Sequence, residues 1–304
     1  MTTSYIQANT DGRLHDATSP SVSVLNRGFL YGDAVYEVWR TYEQVVFAWD
    51  EHWERLLNSA AALHLELSYG AEAMWPEVVR TVAAFRAHTS FAGDVYIRLQ
   101  ISRGAGPIGL DPALSDRASF VILVQPVPVM SERVQQSGLH LSIAQDLRRN
   151  PRESLDPAWK TGNYLNNLLA LREARSRGAD DVVLLNLAGE LTECSTSNLG
   201  FVQDGVVYTP PLTAGILAGV TRRLLLSSIA QSAGYEMQER TLKPAELDAM
   251  DEAFVMSSTK DIQPVGCIDE HRFPVRPDSV TARLKAAFQG YAAAHAAQYS
   301  ERKV

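Results

Sequence analysis

Apolar and polar positions alternate along some stretches of the chain and recur at helical spacing along others, and the two rhythms separate its elements. Asp11-Gly12 lies between two short alternating runs and predicts a hairpin turn. Residues 34–42 and 45–49 are rich in β-branched and aromatic side chains, with Glu43-Gln44 between them, and predict a second hairpin. Asp50 then predicts a helix cap, because Trp53, Leu56, Leu57 and Ala60 follow on one helical face. A helix over 71–88 and strands over 95–102 and 119–124 complete this part. Residues 125–137, QPVPVMSERVQQS, carry two prolines and little periodicity, which predicts an interdomain linker.

The later part alternates strands with helices. Strands are predicted over 139–144, 182–186, 199–202, 206–209, 235–239 and 253–256, with Asp204-Gly205 as a turn. Helices are predicted over 164–177, closed by Gly178, from 219–221 onward, and from about residue 279. The predicted class is α+β in two domains: a smaller one over 1–126, a linker over 127–137 and a larger one over 138–304.

Composition narrows the class of protein. The 304 residues are 46% hydrophobic and 21% charged, the balance of a chain with a sizeable core. A net charge of −7 argues against nucleic acid as the main partner, which requires a basic face. Two cysteines, Cys194 and Cys267, make no disulfide framework and fit a reducing compartment. Residues 1–16 are polar and lack a signal-peptide layout, and the apolar runs are too short to span a bilayer. A cytoplasmic protein without membrane partners is expected.

Several patterns resemble chemistry without carrying it. The GAGPIG run at 104–109 matches a dinucleotide fingerprint, but Pro107 and Pro112 prevent the helix such a fingerprint must open. The seven histidines form no metal-ligand spacing, so no metal is expected. Ser195 and Ser197 lack a nucleophile elbow.

Four other segments carry more. Lys160 follows Pro157 and precedes Gly162, which reads as a turn, and the chain then enters the leucine-rich run 165–171. A lysine anchored this way can point into a cavity, and a neutral amine there suits Schiff-base chemistry. Alone, the same lysine reads as a surface charge. Glu193, in GELTECSTSN, can pair with a protonated ring nitrogen or cap a turn. Gly219 to Thr221 opens a helix, whose free N–H groups and hydroxyl form an anion site or a plain cap. Ser257, Ser258 and Thr259 end a strand with three hydroxyls.

Together these segments resemble the class IV (fold-type IV) pyridoxal-phosphate aminotransferases, closest to the branched-chain and D-amino acid enzymes. Tyr31-Gly-Asp-Ala-Val-Tyr36-Glu37, His52-Trp-Glu-Arg55-Leu56, and Tyr96-Ile-Arg98 with Arg103-Gly104 match the family's first motifs. Lys160-Thr-Gly-Asn-Tyr164, Glu193 with Ser-Thr-Ser-Asn198, Leu217-Ala-Gly219-Val220-Thr221-Arg222 and Ser258-Thr259 match the rest, in the family's order.

The resemblance implies a two-domain fold with pyridoxal 5′-phosphate in the interdomain cleft and a homodimer or higher homo-oligomer. It implies that Lys160 is the catalytic lysine that bears the cofactor, and that Glu193 keeps the ring nitrogen protonated. It further implies that Arg55, the backbone at Val220, Thr221, Ser258 and Thr259 hold the phosphate, Tyr164 the ring hydroxyl, and Leu217 the underside of the ring. Tyr31, Tyr36, Tyr96 and Arg98 match substrate-binding positions. The activities implied, in order, are transfer from branched-chain L-amino acids to 2-oxoglutarate, a D-amino acid or (R)-amine aminotransferase, and an aminodeoxychorismate lyase. Val38 is closer to the D-amino acid pattern, Arg40 is shared with the branched-chain one, Ala218 replaces a common acidic residue, and Lys260 stands where a small residue is common.

Overall fold

A computed structural model describes residues 5–115 and 117–304. Residues 1–4, where the polar N-terminal stretch begins, lie outside it. The chain forms two compact units. The first comprises Met1–Pro128, Trp159–Asn163 and Ala293–Val304, and the second Val129–Ala158 and Tyr164–Ala292. The five residues around Lys160 therefore count with the first unit, although they follow the predicted linker. Val129 already belongs to the second unit, and α4 (Glu132–Ser137), capped by the Ser131 side chain, fills much of the predicted linker.

Among the described residues, the first unit is built on an antiparallel sheet in the order β2-β1-β6-β5-β3-β4. Its strands are β1 (Gln7–Thr10), β2 (Arg13–Asp16), β3 (Ala34–Tyr42), β4 (Val45–Val46), β5 (Val95–Ser102) and β6 (Ser119–Pro126). Its helices are α1 (Arg27–Tyr31), α2 (Trp49–Ala62) and α3 (Ala71–Thr89). The period-2 pattern of β5 places Val95, Ile97, Leu99 and Ile101 on the core face. There they pack with Trp53 and Leu56 of α2 and Met74, Val78, Val82 and Phe85 of α3. Trp39 and Trp49 stack with ring centroids 4.8 Å apart.

Two local predictions give way here. The strand expected over 45–49 stops at Val46, because Ala48 takes a left-handed conformation (φ 52°) that turns the chain into α2. For the same reason Asp50 is not the cap; it lies inside the first turn, where its charge complements the helix dipole.

The second unit contains β7 (Leu139–Ile143), α5 (Arg152–Leu155), α6 (Leu165–Ser176), β8 (Asp181–Leu185), β9 (Leu191–Cys194), β10 (Asn198–Gln203) and β11 (Val206–Thr209). These are followed by α7 (Val220–Leu224), a π-helical turn over Leu225–Ile229, and α8 (Ala230–Ser232). Then come β12 (Met237–Glu239), β13 (Glu252–Ser257), β14 (Asp261–Ile268), β15 (His271–Arg272) and α9 (Val280–Gln298). The sheet runs β12-β11-β10-β13-β14-β7-β8-β9, and an added β10–β9 pairing at Asn198↔Glu193 closes it on itself. The pairs β14–β7, β7–β8 and β11–β12 are parallel.

Strands β9 and β14 were not foreseen. Both are interrupted by polar residues or proline, which hides the alternation, although each pairs with a neighbour in sequence, β9 with β8 and β14 with β13. Helix α6 also differs from expectation. Its buried face is Asn167, Ala170 and Ala174, while Leu165 and Leu168 stand 67% and 59% exposed. Among the described residues, no helix is long and apolar enough to cross a membrane, and no cluster of His, Cys, Asp and Glu could hold a metal.

Candidate active site

In the first unit the candidate residues converge at the N-terminal half of β3. Lys160 is not held by the leucines that follow it. Its backbone N–H donates to Ser59 Oγ (3.0 Å), and its carbonyl accepts from the Tyr36 N–H (3.0 Å). Thr161 bridges to Val35, and Gly162 N–H donates to the Ala34 carbonyl (2.9 Å). The lysine thus sits on a short extended segment added to β3, not in a free turn. Its Nζ lies 4.5 Å from the centroid of the Tyr36 ring.

The β3–β5 register places Tyr36 opposite Gln100, Val38 opposite Arg98 and Arg40 opposite Tyr96. Opposed residues share a face, so these six side chains form one polar and aromatic surface, on the side of the sheet away from the core. The Arg98 guanidinium lies 3.8 Å from the Tyr36 centroid and donates to Gln100 Oε1 (2.8 Å). Lys160, Tyr36 and Arg98 are therefore brought together, with Tyr96 on the same strand face. Tyr31 is placed differently. It ends α1, and its hydroxyl accepts from the Gly109 N–H (3.1 Å), tying it to the GAGPIG loop.

Arg55 is buried on α2. Its Nε and Nη2 donate to the two carboxylate oxygens of Glu37 (2.7 and 2.8 Å), and His52 Nδ1 lies 2.7 Å from Glu37 Oε2. Burial pushes the Glu37 carboxyl up, but Arg55 and His52 outweigh it and hold the group far below the usual carboxylate range. Burial also pulls His52 below the ordinary imidazole value, against the opposing pull of Glu37.

The second unit assembles the other candidates around β9. Glu193 lies on this strand, beside the point where the sheet closes, and is buried. Its Oε1 accepts from Arg149 Nε (3.0 Å) and Nη2 (2.9 Å). Its Oε2 accepts from Asn198 Nδ2 (3.1 Å) and from the Leu217 N–H (3.0 Å). Asn198 Nδ2 also donates to the Leu217 carbonyl (3.0 Å), clasping the segment that leads into α7. Gly219 is required there: a Cβ would stand 2.0 Å from Asn198 Oδ1. Val220 and Thr221 follow in the first turn of α7, both buried, and first-turn N–H groups have no acceptor within a helix.

Ser258 and Thr259 lie in the turn between β13 and β14, both half-buried. Lys260 in the same turn reaches Asp181 Oδ2 (3.2 Å), Thr196 Oγ1 (3.2 Å) and Ser197 Oγ (3.3 Å). The hydroxyl turn is thereby fastened to the turn that follows Glu193. Tyr164 caps α6 through its backbone and is half-buried.

Three residues that hold candidate groups carry no site signal of their own in the sequence: Glu37, Arg149 and Asn198. Glu37 and Asn198 lay within recognised motifs. Arg149 stood in a polar loop next to Arg148, with nothing in the sequence to single it out.

These features meet a family. The model for class IV amino-transferases matches residues 34–268, and the chain belongs to that family. It is a pyridoxal-phosphate enzyme that transfers amino groups, with the α+β fold of fold-type IV. It is 35% identical over 259 residues to a putative branched-chain-amino-acid aminotransferase of Methanocaldococcus jannaschii, covering 85% of this chain and 86% of that one. It is 31% identical over 265 residues to the D-alanine aminotransferase of Bacillus licheniformis, covering 85% and 87%. The crystal structure of the branched-chain aminotransferase of Thermoproteus uzoniensis with norvaline superposes with a TM-score of 0.86 at 31% identity, covering 98% of each chain.

The residues present fit the cofactor in kind. Its phosphate calls for N–H groups, hydroxyls and a cation, and its ring nitrogen for a buried carboxylate. Its aldehyde calls for an amine. The α7 N-terminus with Gly219, Thr221 and Arg55, Glu193, and Lys160 are groups of those kinds.

Proposed function

We propose that this aminotransferase moves the amino group of branched-chain L-amino acids to 2-oxoglutarate. The observation that carries the reading is the grouping of Lys160, Tyr36 and Arg98 on one face of the first sheet. It sets a reactive amine and a guanidinium suited to a carboxylate against the same aromatic ring. When bound, the cofactor supplies the electron sink for cleavage at the substrate α-carbon.

The chain's own groups do the rest. Lys160 Nζ bears the cofactor and moves the proton at the α-carbon. Glu193, kept in place by Arg149, Asn198 and the Leu217 N–H, holds a proton at the ring nitrogen. Arg55, the Val220 and Thr221 backbone, the Thr221 hydroxyl, Ser258 and Thr259 bind the phosphate. Tyr164 orients the ring hydroxyl, and Leu217 packs against the ring. Arg98, Tyr96, Tyr36 and Tyr31 bind the substrate, Arg98 through its carboxylate.

Relatives named branched-chain aminotransferases support the donor. The D-alanine aminotransferase relative and Val38 favour a second reading, a D-amino acid donor. The enzyme works as a cytoplasmic homodimer. Support for the dimer comes from Val24, Phe29, Ile108 and Leu110, all at least 74% exposed on and around α1 and the loop tied to it. Two buried free cysteines support the reducing compartment.

The test is to add L-leucine and, separately, D-alanine to the yellow holoenzyme. Bleaching by L-leucine alone supports the proposal, and bleaching by D-alanine alone replaces it with the second reading. A chromophore indifferent to both overturns each of them and favours the pyruvate-releasing lyase.

A further inference from the structure

Glu37 occupies a position the strand pattern reserves for the core. It shares the inward face of β3 with Val35, Trp39 and Thr41, and its side chain is 0% exposed. A carboxylate buried among apolar side chains opposes folding, and an apolar residue of similar size packs there at lower cost. Its presence calls for a reason other than stability.

The geometry supplies one. The Nε edge of Arg55 meets both oxygens of Glu37 in two parallel bonds of 2.7 and 2.8 Å, the forked arrangement that fixes the plane of a guanidinium. His52 Nδ1, 2.7 Å from Oε2, holds the carboxylate from a second side. With the plane and one edge fixed, the direction of the remaining N–H groups is fixed as well. The same stretch of α2 is tied to the reactive lysine: Ser59 Oγ donates to the Arg55 carbonyl (3.0 Å) and accepts from the Lys160 N–H (3.0 Å).

We propose that Glu37 is a positioning residue, which orients the Arg55 guanidinium to grip the cofactor's phosphate. This rests on the reading of Arg55 as a phosphate ligand. The Glu37 side chain is fully enclosed and paired to Arg55, so its effect runs through the arginine. The low proton affinity of its carboxyl keeps it an anion over the working pH range, so the fork persists. Burial lowers the proton affinity of His52, whose Nδ1 lies against both Glu37 Oε2 (2.7 Å) and Arg55 Nη2 (3.2 Å).

The test measures dissociation constants of pyridoxal 5′-phosphate and of pyridoxal, which lacks the phosphate, after cofactor removal from the full-length protein. Arg55→Met, Glu37→Gln, Glu37→Asp and the Glu37→Gln/Arg55→Met pair are compared with the parent. We expect Glu37→Gln to weaken pyridoxal phosphate about tenfold or more while pyridoxal is unchanged, and to add nothing once Arg55 is gone. Glu37→Asp keeps the charge but shortens the fork, and shows the same phosphate-specific loss if Glu37→Gln does not fold. If Arg55→Met weakens pyridoxal phosphate and both Glu37 variants do not, the positioning role is overturned. Equal losses for the two ligands overturn it too, since they mark a merely structural residue. If Arg55→Met itself has no effect, the phosphate reading of Arg55 fails, and the proposal falls with it by a separately visible route.

Discussion

Each unit buries one ion pair among its candidate site residues, and the two pairs are mirror images in charge. In the first unit the proposed cofactor ligand is the cation, Arg55, held by a buried anion, Glu37. In the second it is the anion, Glu193, held by a buried cation, Arg149. The geometries differ in a telling way. Arg55 spreads over both oxygens of Glu37, which fixes the plane of the guanidinium. Arg149 converges on one oxygen of Glu193, leaving the other to the neutral donors Asn198 and Leu217. In each case the group expected to meet the cofactor is the one whose orientation the pair restricts. A buried ion pair is weak evidence of stability, but a reasonable means of fixing direction.

That comparison can be broken most severely at the lysine. Lys160→Ala should reduce turnover by about 10³-fold or more and abolish the cofactor's visible absorbance; full activity in this variant would remove the chemical role from both units. Next in size is Arg149→Met. It leaves the Glu193 carboxylate buried without its cation and should cost about 3–5 kcal/mol, read from the urea midpoint of the apoprotein. Arg149→Lys should recover part of the loss. An unchanged midpoint would mean the pairs are not equivalent.

The acid limb of stability sharpens the first pair. Glu37 binds its proton less readily folded than unfolded, so its contribution is complete above the unfolded value of about 4.3 and declines as pH falls below it. His52 is also depressed, so the unfolded chain takes up its proton first. Its effect likewise removes stability as pH falls below about 6.5. The stability of Glu37→Gln should therefore depend less on pH than the parent's between about pH 5 and 2. Parallel curves would show that Glu37 does not titrate as a paired group.

The smallest effect is expected at Val38, which faces Arg98 across β3–β5. Val38→Gly opens that face and should raise kcat/KM for leucine relative to alanine by about tenfold. No change would place the donor's side chain elsewhere.

Much of this was legible along the chain, for a local reason. The strands 34–42 and 95–102, helices α2 and α3, and the turn at Asp204-Gly205 follow from periodicity and turn chemistry within a few neighbouring residues. The motif segments containing Lys160, Glu193, Thr221 and Ser258 were recognisable because their order survives in one dimension. The strand expected over 45–49 and the cap expected at Asp50 failed locally, at the left-handed Ala48, but at the site what failed was whatever depended on a distant partner. Leu165 and Leu168 read as an anchor and stand exposed, while the true anchor of Lys160 is β3 and Ser59, about a hundred residues earlier in the chain. Arg149 gave no local signal, since its meaning lies in a carboxylate 44 residues away.

The sequence by itself therefore determined the kind of protein, an α+β aminotransferase that uses pyridoxal phosphate, and the residue types available to do the chemistry. Only the tertiary structure decided how those residues are aimed. It put Lys160 in the first unit at the edge of β3, brought Lys160 and Arg98 to the ring of Tyr36, and assigned Glu37 to Arg55 and Arg149 to Glu193. Periodicity reports which side of its own element a residue occupies. The direction of a buried charge depends on the opposite charge that packing brings to it, and the chain carries no local record of that meeting.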